Sequence, residues 1–314
     1  KGLYIFLDME KAFDRVSFTF IRKALQAVGF GPEFIKSISA MYNEENPPNR
    51  RIYANGYYSD SFPIVSGVAQ GCPLSPLLFL LVGEALRTAL SLAKSVKGIR
   101  VGSVTEFIAQ FADDTVLLLG HKKELKPALL AVDYWCKATG MRENMDKREG
   151  LAMGTYRSVD LTNLDIGNFG TVDWVNQRAP DKPPWAIHLG VPIGNNLDVN
   201  KWWTKKLEAI NDIGERWIPH LRRNGYFGRN LIVQSMYFGR MRYWLYSIDM
   251  PKNRAQEVQA QADTLWWSRE PKMTDNTTGE KVRVRRWVKK SAAIRPRQKG
   301  GVNNMIWADH AESF

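Results

Sequence analysis

The first apolar run of the chain is GLYIFLD, which is short and rich in aromatic and β-branched residues. This composition predicts a buried β-strand. Because side chains alternate between the two faces of a strand, Tyr4, Phe6 and Asp8 share one face. Ile5 and Leu7 lie on the other. The strand therefore ends with a carboxylate on a face that is otherwise aromatic.

Several later segments carry the signals that start and stop α-helices. Ser17 can cap a helix that ends at Gly29, and Pro32 can start the next one. Ser75 is a good cap for a third helix, in which apolar residues recur at the helical spacing of four positions. Those residues are Leu77, Leu81, Ala85 and Ala89. The predicted helices cover 18–28, a segment from Pro32 with Ile35, Ile38 and Tyr42 on one side, a segment from Pro76, and 124–139 before Gly140.

Turn residues between strand-like runs predict hairpins. Asn55-Gly56 lies between two such runs, which is a strong hairpin signal. Residues 106–120 favour a strand, a turn and a second strand, and 187–194 favour a short strand with a glycine turn. The segment 155–185 is rich in Asn, Asp and Pro, which predicts loops with at most one hairpin.

The character of the chain changes near residue 200. Residues 1–200 hold 22 Lys and Arg against 21 Asp and Glu, whereas residues 201–301 hold 22 against 9. Eight of the 11 tryptophans also lie from Trp202 onward. We therefore predict a domain boundary near 195–200 and a helical, basic second region. Its charge is typical either of a polyanion contact or of a solvated basic surface.

Cysteine, histidine and hydropathy exclude several classes of protein. Cys72 and Cys136 form no CxxC pair and the four histidines are scattered, which argues against structural zinc and is consistent with a reducing compartment. We expect no membrane span, because no apolar run approaches the required length. The chain enters an apolar strand at once and without Met, so we expect further sequence upstream.

Three acids stand in apolar surroundings. Asp8 ends the first strand, and Asp113 and Asp114 interrupt the run FADDTVLLL. Each is by itself an ordinary turn residue. A sheet that brings the strand ends together would cluster three carboxylates without a nearby Lys. Such a cluster repels itself unless a cation binds, and hard oxygen ligands favour Mg²⁺.

A glycine-containing loop precedes the third helix, in GVAQGCPLSPLLF. Gly67 and Gly71 flank Gln70, and glycines allow the backbone to approach a ligand closely. A glycine loop is weak evidence alone and gains weight beside an acid cluster and a basic region.

The segments DMEKAFDRV, GVAQGCPLSPLLF, FADD and HLGV occur in this order, and together they resemble a reverse transcriptase of the non-LTR (LINE-type) retrotransposon class. The resemblance implies an α+β fold, with a right-hand polymerase palm whose antiparallel sheet carries helices on one face. It implies a palm with residual fingers over 1–195, a helical thumb over 196–268, and a basic loop with a post-thumb segment over 269–314. The last 15 residues are similar to segments that follow the thumb in LINE polyproteins.

The resemblance also implies roles for individual residues. Asp8 and Asp113 would be the metal-holding catalytic acids, with Asp114 as their neighbour. The remaining implied nucleotide contacts are Phe13 as the gate against a ribose 2′-OH, Gln70 and Gly71 in the loop at the nucleotide and template, and Lys147 near the departing pyrophosphate. Each has a plain alternative: a core aromatic for Phe13 and a solvated charge for Lys147. HLGV resembles the primer-gripping hairpin, with His188 where an aromatic residue is usual.

The resemblance implies the partners as well. These are two Mg²⁺ ions (with Mn²⁺ as a substitute), an RNA template, a DNA primer, dNTPs, and fingers and an endonuclease upstream. Basic residues of the thumb, among them Lys205, Lys206, Arg222 and Arg223, would contact duplex phosphates. The basic stretch from Lys281 to Lys290 is interpreted as a nucleic-acid contact, a nuclear signal or a solvated loop, and we expect an intracellular, nuclear location.

Two positions depart from the family pattern. In the element GMRENMDKREG, Glu143 stands where an apolar residue is usual, and Arg148 where Thr is common. Three hypotheses therefore stay open. They are an RNA-directed DNA polymerase core, impaired as this fragment; a catalytically silent remnant that binds nucleic acid; and a group II intron maturase-like palm.

Overall fold

The computed structural model describes residues 1–222 and 224–266, with 273–274, 281–282 and Gln298 beyond them. The chain divides into two compact units, Lys1–Asn196 and Leu197–Phe314. The strands are β1 Gly2–Leu7, β2 Asn49–Arg50, β3 Tyr53–Ala54, β4 Tyr57–Tyr58, β5 Phe62–Pro63, β6 Ile99–Val101, β7 Val104–Glu106, β8 Ile108–Phe111, β9 Asp114–Leu119, β10 Glu149–Met153, β11 Asp173–Trp174, β12 Ala186–His188, β13 Val191–Ile193, β14 Met273–Thr274 and β15 Lys281–Val282. The helices are α1 Ala12–Arg15, α2 Phe18–Val28, α3 Pro32–Met41, α4 Ser75–Leu92, α5 Leu125–Thr139, α6 Val199–Arg222, α7 Tyr226–Ile232, α8 Gly239–Leu245 and α9 Lys252–Trp266.

A five-stranded sheet forms the centre of the first unit, in the order β11-β10-β1-β9-β8. Its pairs are antiparallel except β10 with β11, which are parallel. The central strand β1 has no charged side chain and is almost entirely apolar, which is typical of a strand with a neighbour on each side. The predicted first strand is confirmed.

The two faces of β1 are buried in different ways. Leu3, Ile5 and Leu7 belong to the main hydrophobic core, which also contains buried residues of α2, α4 and α5. Phe6 belongs to a smaller cluster, with Tyr4 packed partly against it. The predicted alternation of faces is therefore confirmed, and the helices pack on the face of Ile5 and Leu7.

Local signals placed the first helices correctly. The Ser17 hydroxyl accepts a hydrogen bond from the backbone N–H of Phe20, at 3.2 Å, and Gly29 ends α2 in the left-handed region. Glu44 also accepts hydrogen bonds from the Thr19 backbone and hydroxyl groups. These bonds hold the pKa of the Glu44 carboxyl below its usual value. Pro32 starts α3, and Gly140 ends α5, as predicted.

Helix α4 differs from its prediction at its cap. Ser75 lies inside the helix and donates a hydrogen bond to the Ala69 carbonyl at 2.6 Å, so it is not the cap. The buried residues are Leu78, Phe79, Val82, Leu86 and Leu90, whereas Leu77 is 62% exposed. The fourfold spacing predicted a helix, and the helix is confirmed. Packing against α5 helps to decide which of its residues are buried: Trp135 donates to the Val82 carbonyl at 2.8 Å.

Helix α4 is also the one helix among the described residues that is long and apolar enough to cross a membrane. The sequence-based statement that no run approaches that length is therefore wrong. Length and composition alone are weak evidence for a span, and this helix contributes five large apolar side chains to the main core.

The short hairpins follow their turn residues. Ala54 pairs with Tyr57 across Asn55 and Gly56, both at positive φ, which confirms that hairpin. Strands β12 and β13 pair across Leu189 and Gly190, also at positive φ. The segment 155–185 contains no hairpin, and its one strand, β11, pairs in parallel with β10.

The second unit is helical from Val199 to Trp266, and the paired strands β14 and β15 lie beyond these helices. Trp202 and Trp203 on α6 are buried, and each packs edge-to-face against Trp244 of α8. A π-helical segment, Val233–Phe238, joins α7 to α8. These tryptophans therefore form helix–helix core, which leaves the faces of Trp202 and Trp203 unavailable for stacking on bases.

Candidate active site

Sheet register brings Asp8 and Asp114 together. In the pairing of β1 with β9, Leu7 lies opposite Thr115. The next pair along this antiparallel register is Asp8 with Asp114. Directly opposed residues of neighbouring strands point to the same face, so both carboxylates lie on the face of Phe6. That face is opposite to the one covered by the helices, and we call it the open face.

The FADD turn separates its two acids. Phe111 pairs with Asp114, so Ala112 and Asp113 form a two-residue turn between β8 and β9. Ala112 has a φ of 53°, in the left-handed region. The sequence interpretation put both acids in the turn and paired Asp8 with Asp113. The structure places Asp113 in the turn and Asp114 at the first position of β9, opposite Asp8.

One of the three acids, Asp114, has a perturbed pKa. Partial burial raises the pKa of the Asp114 carboxyl above its usual value, and the negative charges of Asp113 and Asp8 raise it further. The charge of His188 opposes this shift. Asp114 thus lies where an additional positive charge would be stabilising.

One cation already lies at the acid pair. The ammonium group of Lys147 is 3.2 Å from a carboxylate oxygen of Asp8, and both side chains are partly exposed. The expectation of an acid cluster without a nearby Lys is therefore wrong. Strand pairing brings Lys147 there from far along the chain. Within the described residues, no three His, Cys, Asp or Glu side chains are gathered closely enough to hold a metal ion.

A cavity of about 470 Å³ opens beside the acids. Its lining includes Asp8, Asp114, Lys147 and His188. The His188 ring lies 5.7 Å from the Phe6 ring, between centroids. Burial lowers the pKa of His188, and Asp114 opposes that shift. The hairpin β12–β13 therefore delivers an imidazole to the same cavity as the acids.

Arg178 lines this cavity and was missed by the sequence analysis. Its buried guanidinium pairs with Glu149 and Asp173 and donates to the Trp185 carbonyl at 3.1 Å. It thereby joins the edge of the sheet to the chain that leads into β12. No local pattern marks Arg178, since Glu149 is 29 positions away.

The loop before α4 packs against the start of α1. The backbone N–H of Val68 donates to the Phe13 carbonyl at 2.7 Å. Gly67 has a φ of 87°, and a Cβ there would lie 2.6 Å from the Asp14 backbone, so only glycine fits. The Phe13 ring stacks on Phe79, with centroids 4.4 Å apart. Phe13 thus makes the contacts of a core aromatic residue, which is the alternative to its role as a gate.

Gln70 and Gly71 lie beyond this packed part of the loop. Both are exposed, and a Cβ at Gly71, which has a φ of 85°, would meet no atom within 4 Å. Gly71 is therefore needed for backbone conformation rather than for a close approach within the chain.

The basic residues predicted to contact a duplex differ in their surroundings. Lys205 is exposed, whereas the Lys206 ammonium lies over the rings of Trp202 and Trp244, at 5.5 and 5.0 Å. The side chain of Arg222 and all of Arg223 lie outside the described residues, as do most of 281–290 and the final segment. Arg229 donates to the Leu221 and Asn224 carbonyls.

Comparison with known proteins gives a consistent result. A profile of the family described as reverse transcriptase (RNA-dependent DNA polymerase) matches residues 1–178. The chain is 29% identical over 265 residues, or 84% of its length, to the transposon TX1 uncharacterized 149 kDa protein of Xenopus laevis. It is 33% identical over 141 residues, 45% of its length, to the retrovirus-related Pol polyprotein from the type-2 retrotransposable element R2DM of Drosophila melanogaster.

A third relative is the retrovirus-related Pol polyprotein from the type-1 retrotransposable element R2 of Nasonia vitripennis, 31% identical over 185 residues, 55% of this chain. The matched parts cover 19%, 13% and 18% of the three relatives, in the order given. The match includes the strand of Asp8, the glycine loop, the FADD turn and Lys147. The chain therefore belongs to the reverse transcriptase family and carries an RNA-directed DNA polymerase domain of the LINE-type (non-LTR) retrotransposon kind.

Proposed function

We propose that this chain extends a DNA primer on an RNA template by two-metal nucleotidyl transfer. The observation that supports this most is the opposition of Asp8 and Asp114 on the open face of the sheet, where burial and the charges of Asp113 and Asp8 raise the pKa of Asp114. In this proposal the first unit is a polymerase palm with residual fingers. The helical unit is a thumb.

Asp8, Asp113 and Asp114 are the residues that would hold the divalent cations, and binding would have to draw together carboxylates that form no three-residue cluster in the described part of the chain. Their oxygens are the donors that Mg²⁺ prefers, and Mn²⁺ accepts the same donors. Burial and the charges of Asp113 and Asp8 raise the pKa of Asp114, so a cation bound beside it would stabilise its ionised form. When bound, the ions would lower the pKa of the primer 3′-OH and neutralise the triphosphate.

The reaction joins the primer oxygen to the α-phosphorus of the dNTP and breaks the α–β phosphoanhydride bond, releasing pyrophosphate. The Lys147 ammonium, now paired with Asp8, is placed to neutralise charge on the leaving group. The exposed Gln70 and Gly71 would border the nucleotide and template. The Phe13 ring, fixed by Phe79, would exclude a 2′-OH sterically.

The second unit would bind the RNA–DNA duplex through its phosphates. Lys205, Lys206, Arg222 and Arg223 are the proposed contacts, and their affinity for the duplex would fall steeply with salt. Lys206 also stabilises the unit through its tryptophan contacts, so Lys205 is the cleaner position for mutation. A nuclear site of action, and upstream fingers and endonuclease as partners, are parts of the same proposal.

Primer extension tests this function. The complete polypeptide that carries this chain is given an RNA template, a DNA primer, dNTPs and Mg²⁺. Extension by the wild type, and its loss in Asp113→Asn, is the expected result. Duplex binding without extension by the wild type would favour a silent nucleic-acid-binding remnant. Equal extension by the variant would remove Asp113 from the site.

A further inference from the structure

The segment that carries Lys147 interrupts the pairing of β1 with β10. Phe6 pairs with Glu149, and Met9 forms a bridge with Glu143. The first segment advances by three residues, from Phe6 to Met9. The segment that pairs with it covers six residues over the same distance, from Glu143 to Glu149. The surplus forms a 3₁₀ turn, Met145–Lys147, which we name the Lys147 turn. This turn carries Lys147 to Asp8.

The Lys147 turn is exposed, but the residues at its two ends are joined underneath it. Arg148 makes two hydrogen bonds of 2.7 Å with the two carboxylate oxygens of Glu143. The side chains are 1% and 6% exposed. Arg148 also donates to the carbonyls of Phe169 and Thr171. A bidentate arginine–carboxylate pair is strong and fixes geometry.

The base of the turn is also hydrogen-bonded to the residue that follows β1. The backbone N–H of Asn144 donates to the Asp8 carbonyl at 2.8 Å. Glu143 and Arg148 are also the two residues of the element GMRENMDKREG that depart from the family pattern. The two departures contact each other, so each supplies the partner that the other requires in a buried site.

We propose that Glu143 and Arg148 are a positioning pair for the polymerase reaction, which sets the Lys147 ammonium at the catalytic acids by closing the base of the Lys147 turn. This inference rests on the proposed function. The pair does not touch substrate in this account. It acts only through Lys147.

A double-mutant cycle tests the mechanism. Arg148→Lys keeps the charge and loses the bidentate geometry, so kcat for primer extension should fall by about tenfold or more. Lys147→Ala should also lower kcat. If the pair acts through Lys147, Arg148→Lys should change kcat by less than about twofold in the Lys147→Ala background. Effects that multiply would overturn the proposal.

Amide hydrogen exchange gives a second measurement that needs no activity. The N–H groups of Lys147 and Arg148 bond to the carbonyls of Asn144 and Met145. Their exchange should accelerate by at least about tenfold in Arg148→Lys and in Glu143→Gln. Unchanged exchange would overturn the proposal.

A matched control removes a different ion pair of the same unit. Lys126→Met breaks the exposed pair of Lys126 with Asp165 and should leave kcat and the exchange of the Lys147 turn unchanged. An equal acceleration in this control would show a general loss of stability and overturn the proposal. A wild type without primer extension would refute the proposed function, and the exchange measurement would still decide whether the pair holds the turn.

Discussion

The two faces of the central sheet are built from the same strands and differ in what they contact. On the helix-covered face, Ile5 and Leu117 lie opposite each other and are fully buried. On the open face, Phe6 and Val116 form a small buried cluster, and the next pair is Asp8 with Asp114. One residue of displacement along β1 therefore separates a core position from a charged one.

This difference teaches how a strand can carry charge without losing its place in the sheet. The apolar residues of both faces fix the register, and a one-residue slip would put Asp8 into the core. Burying an unpaired carboxylate there would be costly. The register that stabilises the sheet is thus the same register that opposes the two acids. Substitutions on the two faces should have separable effects.

The largest expected effect is the loss of activity in Asp8→Asn. Extension of a primer on RNA should fall by at least about a thousandfold, because the variant removes a proposed metal ligand. Its exposed ion pair with Lys147 is worth only about 0–1 kcal/mol, so thermal unfolding should change little. Asp60→Asn, at an exposed carboxylate, is the control. Primer extension by Asp8→Asn at the wild-type rate would contradict the proposal that the acids of the open face act in catalysis.

Leu117→Ala, on the helix-covered face, should mainly lower the stability of the fold. Removing a fully buried leucine should lower the free energy of unfolding by about 2–5 kcal/mol. Leu118→Ala, at the neighbouring half-buried position on the open face, should cost clearly less. Urea denaturation measures both. Equal costs would mean that the two faces are equally important to stability.

Phe13→Ala tests whether an aromatic residue at the border of the core also selects the nucleotide. Losing the ring should reduce the preference for dNTP over the ribonucleotide by about tenfold, a change of about 1.4 kcal/mol in relative barrier. The measurement is the ratio of the two kcat/KM values in single-nucleotide addition. Phe30→Ala, in the stacked pair Phe30–Phe34, is the control. An unchanged ratio would leave Phe13 with its stacking role alone.

Asp114→Asn should give the smallest effect on stability, with a defined pH dependence. The pKa of Asp114 is raised in the fold, so the proton contributes stability below the unfolded value of 3.8. This contribution is lost as the pH rises through the folded pKa. The amide of the Asp114→Asn variant does not titrate, so this part of the decline in stability with rising pH should be absent from the variant. Urea denaturation over a pH series checks it, and a slope identical to that of the wild type would contradict the shift.

Much of the fold follows from local signals. The caps of α2, the proline of α3 and the turn Asn55-Gly56 act through adjacent residues, and the structure confirms them. The residues of α4 that are buried were not predicted, because packing against another helix, which includes Trp135, helps to decide them. The parallel pairing of β11 with β10 also escaped prediction, since a two-residue strand in a loop-rich segment has no pattern of its own.

The candidate site was predictable in part for the same reason. Strand alternation put Asp8 on the face of Phe6, and the resemblance to reverse transcriptases marked the FADD acids and Lys147. The opposition of Asp8 to Asp114, rather than to Asp113, required the register of two strands. The buried pairing of Glu143 with Arg148 required the 3₁₀ turn between them. Both depend on contacts between distant or irregular segments, which local patterns do not contain.

Iron-directed backbone cleavage tests the central claim most directly. Fe²⁺ replaces Mg²⁺, and added ascorbate and peroxide generate radicals that cut the chain beside the bound ion. We predict cleavage near Asp8 and near Asp113–Asp114, suppressed by excess Mg²⁺ and lost in the Asp8→Asn variant. Cleavage that is absent from both segments, or that persists in Asp8→Asn, would contradict the claim that the open face of the sheet holds the catalytic metal.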